Sequence, residues 1–214
     1  TAVLKVYAVA ETDMAAWERA VAALAAPARG PVAFHPPAPS PDDPPDEEID
    51  RAALRREWLA LEHSHGFHGM LRELGIGREQ ALRLAGDDLA ARGETDATRR
   101  VLEGAAVEGV PVMCFVGNRG CLQIFSGRVH RIEMRGPWLN VLDPGFNLHL
   151  RTDLAASSWL VRKPTRLRGT ITSLELFDAS GGLVCQFFGA RPPGEGEREA
   201  WRDLLDRAAT GATR

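Results

Sequence analysis

The sequence predicts an α+β fold, with helices at the N-terminal side, a large antiparallel β-sheet meander and one C-terminal helix. Two observations carry this prediction. Apolar residues recur at helical spacing over residues 50–107, whereas from residue 110 short runs of β-branched and aromatic residues alternate with Gly, Asn, Pro and Asp. A helical pattern returns over residues 195–208. Helices, then consecutive strands, then one helix is the order typical of an α+β domain.

The N-terminal region differs in composition from the rest of the chain. Residues 27–45 are rich in Pro, Ala and Asp and poor in large apolar side chains, which predicts an extended linker over residues 27–49. We therefore assign the main domain to residues 50–214.

A weak internal repeat connects the two ends of the chain. A strand pattern at residues 3–7 precedes a helix containing Trp17, and the same order recurs at residues 184–188 and the helix containing Trp201. Residues 1–26 are therefore predicted to be the tail of a preceding copy of the same domain, with one strand and one helix. On this interpretation the chain is the second half of a two-repeat protein whose first copy is mostly absent.

Three helices are predicted before the strands. Asp50 is a favourable N-cap for a helix over residues 50–74, and shorter helices are predicted over residues 79–85 and 96–107. The apolar residues expected to anchor helices to the body of the domain are Leu54, Trp58, Leu61 and Leu71 in the first helix and Trp201 and Leu204 in the last.

The second part of the chain is predicted to be a series of short strands. Tight turns such as residues 117–120, Gly-Asn-Arg-Gly, favour antiparallel hairpins. The predicted strands are 112–116, 122–125, 129–134, 138–142, 146–150, 158–162, 170–177 and 183–188.

Composition and charge narrow the classes of partner. The 214 residues carry a formal net charge of −3, which argues against a broad surface for nucleic acid or anionic membrane. No apolar run approaches the length of a membrane span, and no signal-peptide pattern is present, so membrane insertion is not expected. The three cysteines are odd in number and lack CxxC spacing, as is typical of free thiols in a reducing compartment. We expect a cytoplasmic location.

The segment from residue 58 to residue 78 contains the most informative cluster of side chains. At about 100° per residue, His65, His68 and Arg72 fall on one face of a continuous helix, while His63 points roughly the other way. Two of these histidines are therefore expected to face one site.

Gly66 and Gly69 lie in the same segment, although each glycine inside a helix costs about 1 kcal/mol relative to alanine. This cost indicates that something flat or bulky approaches the backbone there. An imidazole ligand, a smooth glycine surface and nearby guanidinium groups suit haem, a planar macrocycle with two carboxylates. The alternative is that these are solvated or core histidines on an ordinary amphipathic helix. A zinc site made of His65 and His68 lacks a third ligand at a recognisable spacing.

Longer motifs decide between these interpretations. The chain resembles the C-terminal half of bacterial haemin-degrading and haemin-transport proteins of the HemS/ChuS/HmuS type, from about residue 50 to Trp201. The motifs that carry the resemblance are WLAL at 58–61, GREQALRLA at 77–85, FVGNRGC at 115–121, GPWLNVLDPGFNLHLR at 136–151, WLVRKP at 159–164 and QFFG at 186–189.

The resemblance implies iron protoporphyrin IX as the ligand and His65 as the proximal iron ligand. It also implies a set of pocket residues whose chemistry fits: cations for the propionates, aromatic rings for the porphyrin and an amide for its rim or a water. The cations are Arg78, Lys163 and Arg191, the aromatic rings are those of Phe115 and Phe188, and the amide is that of Gln186. Alternate strand residues such as Gln186 and Phe188 also share one sheet face in any ordinary strand.

Two departures limit what the resemblance implies. His68 stands where many relatives have an aromatic residue, so it is either a second donor near the ligand or an alternative iron ligand, and we favour the former. The first repeat, which supplies a distal arginine in the family, is missing, and no residue here is assigned that role. His149 is interpreted as a structural histidine satisfied within the sheet.

Three functions remain open at this point. The resemblance implies either degradation of haem with electrons from a separate reductase, or haem binding and delivery to a separate haem oxygenase; degradation is slightly preferred. The third alternative is a purely structural or dimerisation domain with a vestigial site. Exposed sheet edges lead us to expect a homodimer or a monomer prone to self-association.

Overall fold

The computed structural model describes residues 8–25, 43–118, 120–192 and 194–210. The chain divides into two compact units, one of Thr1–Pro41 with Asn118–Cys121 and the other of Asp42–Gly117 with Leu122–Arg214.

In the smaller unit, helix α1 spans Met14–Leu24, and a carboxylate oxygen of Asp13 caps it by accepting a 3.0 Å hydrogen bond from the amide of Ala16. This helix contains Trp17, as predicted. The predicted strand at residues 3–7 and most of the predicted linker lie outside the described residues.

The larger unit begins before residue 50, where the main domain was predicted to start. A short 3₁₀ turn, Asp46–Glu48, is held against the later helix of residues 78–85, because Gln80 and Arg83 both donate hydrogen bonds to the carboxylate of Asp46. The last residues of the predicted linker are therefore part of this unit.

Five helices follow in the larger unit: α2 (Arg51–Leu59), α3 (Gly66–Leu74), α4 (Arg78–Ala85), α5 (Ala97–Glu108) and α6 (Glu199–Thr210). The predicted single helix over residues 50–74 is wrong, since α2 and α3 are separate helices. Asp50 caps α2 as predicted, accepting a 2.9 Å hydrogen bond from the amide of Ala53. The chain leaves the helical path where the carbonyls of Leu61 and Glu62 accept hydrogen bonds from the amides of residues 166 and 167 instead.

Nine strands are described, and the predicted antiparallel pairing is confirmed throughout. They are β1 (Ala90–Gly93), β2 (Val112–Gly117), β3 (Leu122–Gly127), β4 (Ile132–Arg135), β5 (Trp138–Asp143), β6 (Phe146–Arg151), β7 (Ala155–Thr165), β8 (Gly169–Asp178) and β9 (Leu183–Gly189).

These strands form two sheets rather than one continuous meander. The larger sheet has the order β1-β7-β8-β9-β2-β3, and β4-β5-β6 form a separate three-stranded sheet. Strand β1 was not predicted, since its four residues, AARG, carry no alternation of apolar and polar side chains.

The two faces of the six-stranded sheet bury different clusters. One face packs against α5, α6 and the small sheet, where Trp201 is fully buried and its indole N–H donates to the carbonyl of Thr172 at 3.1 Å. The other face packs against α2, α3 and α4 over the β1-β7-β8 side. Leu54, Trp58, Leu61 and Leu71 are all buried there, as predicted. Strands β9 and β2 extend beyond these helices and leave a cleft.

Candidate functional site

A cleft of about 560 Å³ lies on the open part of this sheet face, a volume within the usual range for small-molecule sites. Its walls come from the start of α3, the first residue of α4, strands β2, β3, β7, β8 and β9, the turn between β7 and β8, and the loop after β9. The pocket residues that the resemblance implies, together with His68, all line this one cleft: His65, His68, Arg78, Phe115, Lys163, Gln186, Phe188 and Arg191.

Strand register brings the sheet residues together. Phe115 of β2 lies opposite Gln186 of β9, and Met113 lies opposite Phe188. Because side chains alternate between faces, all four point to the cleft. The rings of Phe115 and Phe188 pack edge to face, with centroids 5.3 Å apart, and form an aromatic wall.

The start of α3 brings two imidazoles to the cleft. His65 is the N-cap residue of α3 and His68 lies one turn later, and both line the cleft, whereas His63 lines a separate depression. The predicted division of the histidines is therefore correct. The helical geometry used to reach it is not, because His63 and His65 precede α3.

The predicted glycine floor and the predicted role of Arg72 are wrong. Gly66 and Gly69 line the depression beside His63 and are not part of the cleft. A Cβ atom added to Gly69 would meet nothing within 4 Å, so no close approach requires glycine there. Arg72 is exposed in the last turn of α3, and the cleft meets only the first turn of that helix.

Arg78 and Lys163, the cations at the floor of the cleft, are held by a buried charged residue that the sequence analysis missed. Glu175 of β8 is fully buried, and its carboxylate accepts hydrogen bonds from both cations. The distances are 2.7 Å from Nε of Arg78 and 2.8 Å from Nζ of Lys163. Gln186 and Ser173 donate to the same carboxylate at 2.9 and 2.8 Å. Two of the three cations expected to neutralise a ligand are therefore already paired within the protein.

The pairing sets the charge of the floor. Burial by itself would raise the pKa of Glu175, but the positive charges of Arg78 and Lys163 outweigh it and hold the pKa well below its ordinary value. Burial lowers the pKa of Lys163, and the attraction of Glu175 opposes that effect. With all three groups ionised, the cluster carries one net positive charge.

Phe67 of α3 is a second site residue that the sequence analysis missed. Its ring lies 4.9 Å from the ammonium nitrogen of Lys163 and 5.0 Å from the guanidinium carbon of Arg78, so it contacts both cations of the floor. Trp58 of α2 packs edge to face on the same ring at 4.5 Å. The other lining residues not predicted are Ser64, Met113, Leu122, Arg168, Ile171 and Pro192.

A signal for Glu175 is present in the sequence. The predicted strand at residues 170–177 carries one acidic residue, Glu175, at a position that alternation places on the same face as Ile171. A buried carboxylate requires a cation paired with it.

His149 lies in the small sheet, where its ring nitrogen is 2.7 Å from the amide oxygen of Asn140, as its structural interpretation predicted.

Two kinds of feature are absent from the described residues. Within those ranges, no helix combines the length and apolar character that crossing a membrane requires. No group of three or more His, Cys, Asp or Glu side chains in the described part of the chain is arranged to hold a metal ion.

Known proteins match both the sequence and the structure. The family model of the haemin-degrading HemS.ChuX domain matches residues 75–208. Hemin transport protein HmuS of Yersinia pestis is 37% identical over 203 residues, which make up 95% of this chain and 58% of HmuS.

Two solved structures have the same fold over almost the whole chain. Holo-PhuS, a heme-binding protein from Pseudomonas aeruginosa, is 45% identical with a TM-score of 0.86, covering 92% of this chain and 57% of PhuS. The heme degrading enzyme ChuS of Escherichia coli O157:H7 is 37% identical with a TM-score of 0.81, covering 94% of this chain and 57% of ChuS.

This chain thus spans somewhat more than half the length of each of these relatives. The family model covers more than half of its 214 residues. The chain belongs to the haemin-degrading HemS/ChuX family.

Proposed function

We propose that this domain binds haem in the cleft, with His65 as the iron ligand, and that it acts in the use of haem iron by bacteria. The observation that carries the proposal is the meeting of His65 and His68 with an aromatic wall and cationic side chains in one cleft. A neutral imidazole binds iron, aromatic rings pack on a porphyrin, and guanidinium groups pair with carboxylates.

The residues of the cleft fit this ligand chemically. The apolar side chains Met113, Leu122 and Ile171 join Phe115 and Phe188 in the lining. Positive charge lies both at the floor and near the end of β9. One polar atom there, the buried Nε of Arg191, has no hydrogen-bond partner among the described residues, which supports a ligand with acceptor oxygens.

We propose degradation of haem as the activity of the complete protein. Support comes from the match to ChuS, described as a heme degrading enzyme. Oxidative opening of a porphyrin requires oxygen and electrons, so an electron-donating reductase is the partner that this activity needs. The residues of this chain would bind and orient the haem.

Delivery of haem to a separate haem oxygenase is the second candidate. It is favoured by the presence of both His65 and His68 in one cleft, since one imidazole can hold iron while the other is released. The match to HmuS, described as a hemin transport protein, also supports it.

We also propose a cytoplasmic location for the protein. Its cysteines are free, and burial raises the pKa of the Cys114 thiol to about 12, which keeps that thiol protonated and unreactive.

Self-association is also proposed, because β3 is an edge strand that exposes Leu122 and Ile124. A monomer in sedimentation equilibrium at high concentration would contradict this last point.

The proposal is tested by titrating ferric haem into the chain and recording the Soret band. We expect a saturable spectrum with one haem per chain; no saturable binding would refute the haem site. Adding a reductant under air and under nitrogen then separates the two activities. Loss of the Soret band only under air supports degradation, whereas an unchanged band that disappears on adding a haem oxygenase supports delivery.

A further inference from the structure

Arg168 is a cation of the cleft that forms no ion pair with any residue the structure describes. It lies in the turn between β7 and β8, is exposed and lines the cleft. Its side chain has no hydrogen bond or ion pair to any residue in the described ranges. The family resemblance implies no role for this residue.

The turn that carries Arg168 is well fixed. The hydroxyl of Thr165 accepts a hydrogen bond from the amide of Arg168 at 3.2 Å and donates one to the carbonyl of Gly169 at 2.8 Å. The amides of Arg166 and Leu167 donate to the carbonyls of residues 61 and 62, immediately before the histidine segment. The backbone of Arg168 is therefore held at the cleft independently of any ligand.

Arg191 is the second incompletely paired cation. Its only hydrogen bond in the described part of the chain is a 3.5 Å contact with the carbonyl of Gly189, and its buried Nε has no partner. The nearby carboxylate of Glu197 already accepts hydrogen bonds from the amide and hydroxyl of Thr172. Burial lowers the pKa of Arg191, and although Glu197 opposes this effect, the positive charge of Arg168 adds to it, so the two guanidinium groups influence each other electrostatically.

The two cations of the floor, unlike Arg168 and Arg191, are already paired with a carboxylate. Arg78 and Lys163 both hold Glu175, and a ligand carboxylate reaching them would compete with that buried anion. Like charges brought close together in a buried site repel. A ligand carboxylate therefore gains more from cations that have no partner.

We propose that Arg168 is a carboxylate-binding residue and that, together with Arg191, it forms the carboxylate-binding end of the cleft. Arg78 and Lys163 instead stabilise the floor through Glu175. This inference rests on the proposed haem function, because haem supplies the two carboxylates. Guanidinium groups suit the role, since each presents paired donors that match a carboxylate.

The experiment compares two ligands on the full chain: ferric haem, and its dimethyl ester, in which both carboxylates are blocked. The test variant is Arg168→Gln and the matched control is Arg166→Gln, an exposed arginine of the same turn that does not line the cleft. Arg168→Lys restores the charge without the guanidinium geometry. Affinities are measured from Soret titrations at fixed ionic strength.

We expect Arg168→Gln to weaken the binding of haem about tenfold and to leave the binding of the ester unchanged, as expected for the loss of a charge-assisted hydrogen bond. Arg166→Gln should bind both ligands like the wild type, and Arg168→Lys should recover part of the haem affinity. Equal haem affinity in Arg168→Gln and Arg166→Gln would overturn the inference while leaving the proposed function intact. Absence of saturable haem binding in the wild type would overturn both.

Discussion

Arg78 and Glu175 form a two-point ion pair at the floor of the cleft, with Nε to Oε2 and Nη2 to Oε1 distances of 2.7 and 2.8 Å. The side chain of Glu175 is 0% exposed and that of Arg78 is 21% exposed. The pair joins the first residue of α4 to the centre of β8, so it links the helical layer to the sheet at the point where the cleft begins.

The ion-pair network at the floor should be strongly coupled. Glu175→Gln removes the anion that faces Lys163 and Arg78, and we expect it to lower the free energy of unfolding by about 3–5 kcal/mol, because a buried charge is left uncompensated. Lys163→Met should be destabilising for the same reason. The double variant should lose clearly less than the sum of the single losses, as measured by urea denaturation; additive losses would contradict the coupling.

The same network predicts a dependence of stability on pH. The pKa of Glu175 in the folded chain lies below its ordinary value of 4.5. As the pH falls through 4.5, the unfolded chain binds a proton that the folded chain does not, so the free energy of unfolding decreases. The stability difference between wild type and Glu175→Gln should therefore be constant from about pH 7 to 5.5 and shrink below about pH 4.5. A difference that grows in acid would show that the sign is wrong.

The two sides of the histidine segment predict different effects on haem binding. His65→Ala should abolish the histidine-ligated Soret spectrum of the ferric complex, because this imidazole lines the cleft and is the proposed iron ligand. A histidine-ligated spectrum that persists in this variant would assign the iron to His68 instead. His63→Ala is the matched control, since this residue lines a separate depression and its Nδ1 accepts a 3.1 Å hydrogen bond from the amide of Gly66. Equal loss in both variants would refute the assignment of His65, provided that circular dichroism shows both to be folded.

The contact between β9 and α6 predicts a local intolerance of side-chain volume. A Cβ atom at Gly189 would lie 2.6 Å from Cγ of Trp201, a fully buried residue. Gly189→Ala should therefore cost about 1–3 kcal/mol of unfolding free energy. At Gly145 a Cβ atom would meet nothing within 4 Å, so Gly145→Ala should change stability by less than about 0.5 kcal/mol. Thermal unfolding that ranks the two variants in the opposite order would contradict this packing.

Much of the secondary structure could be predicted because periodicity and end signals are local. The predicted strand at residues 170–177 corresponds to Gly169–Asp178, and the predicted helix at residues 96–107 corresponds to Ala97–Glu108. The break between α2 and α3 could not be predicted in the same way. It depends on backbone hydrogen bonds from the turn around Arg166, more than 100 residues later in the chain.

The site residues also divide into those that short sequence motifs identify and those that only distant contacts identify. The resemblance named residues that do line one cleft, and their role in binding haem stays a prediction. Glu175, Phe67 and Arg168 were missed. Glu175 and Phe67 contact the cations of the floor, and Arg168 lines the cleft, and only the packing of separate elements decides these positions. The glycine argument failed because helical spacing gives the relative direction of side chains but not which face meets the cleft.

By itself the sequence determined the α+β class, the antiparallel strands, the buried apolar residues of α2 and the family-like motifs, because each of these depends on a short run of residues. Only the tertiary structure decided that the strands divide into two sheets and that Arg78 and Lys163 are held by Glu175. Only the structure showed that Arg168 and Arg191 are not so held. The physical reason is that electrostatic pairing depends on distance and burial in space, and residues far apart in the chain acquire both only when the sheet and the helices pack.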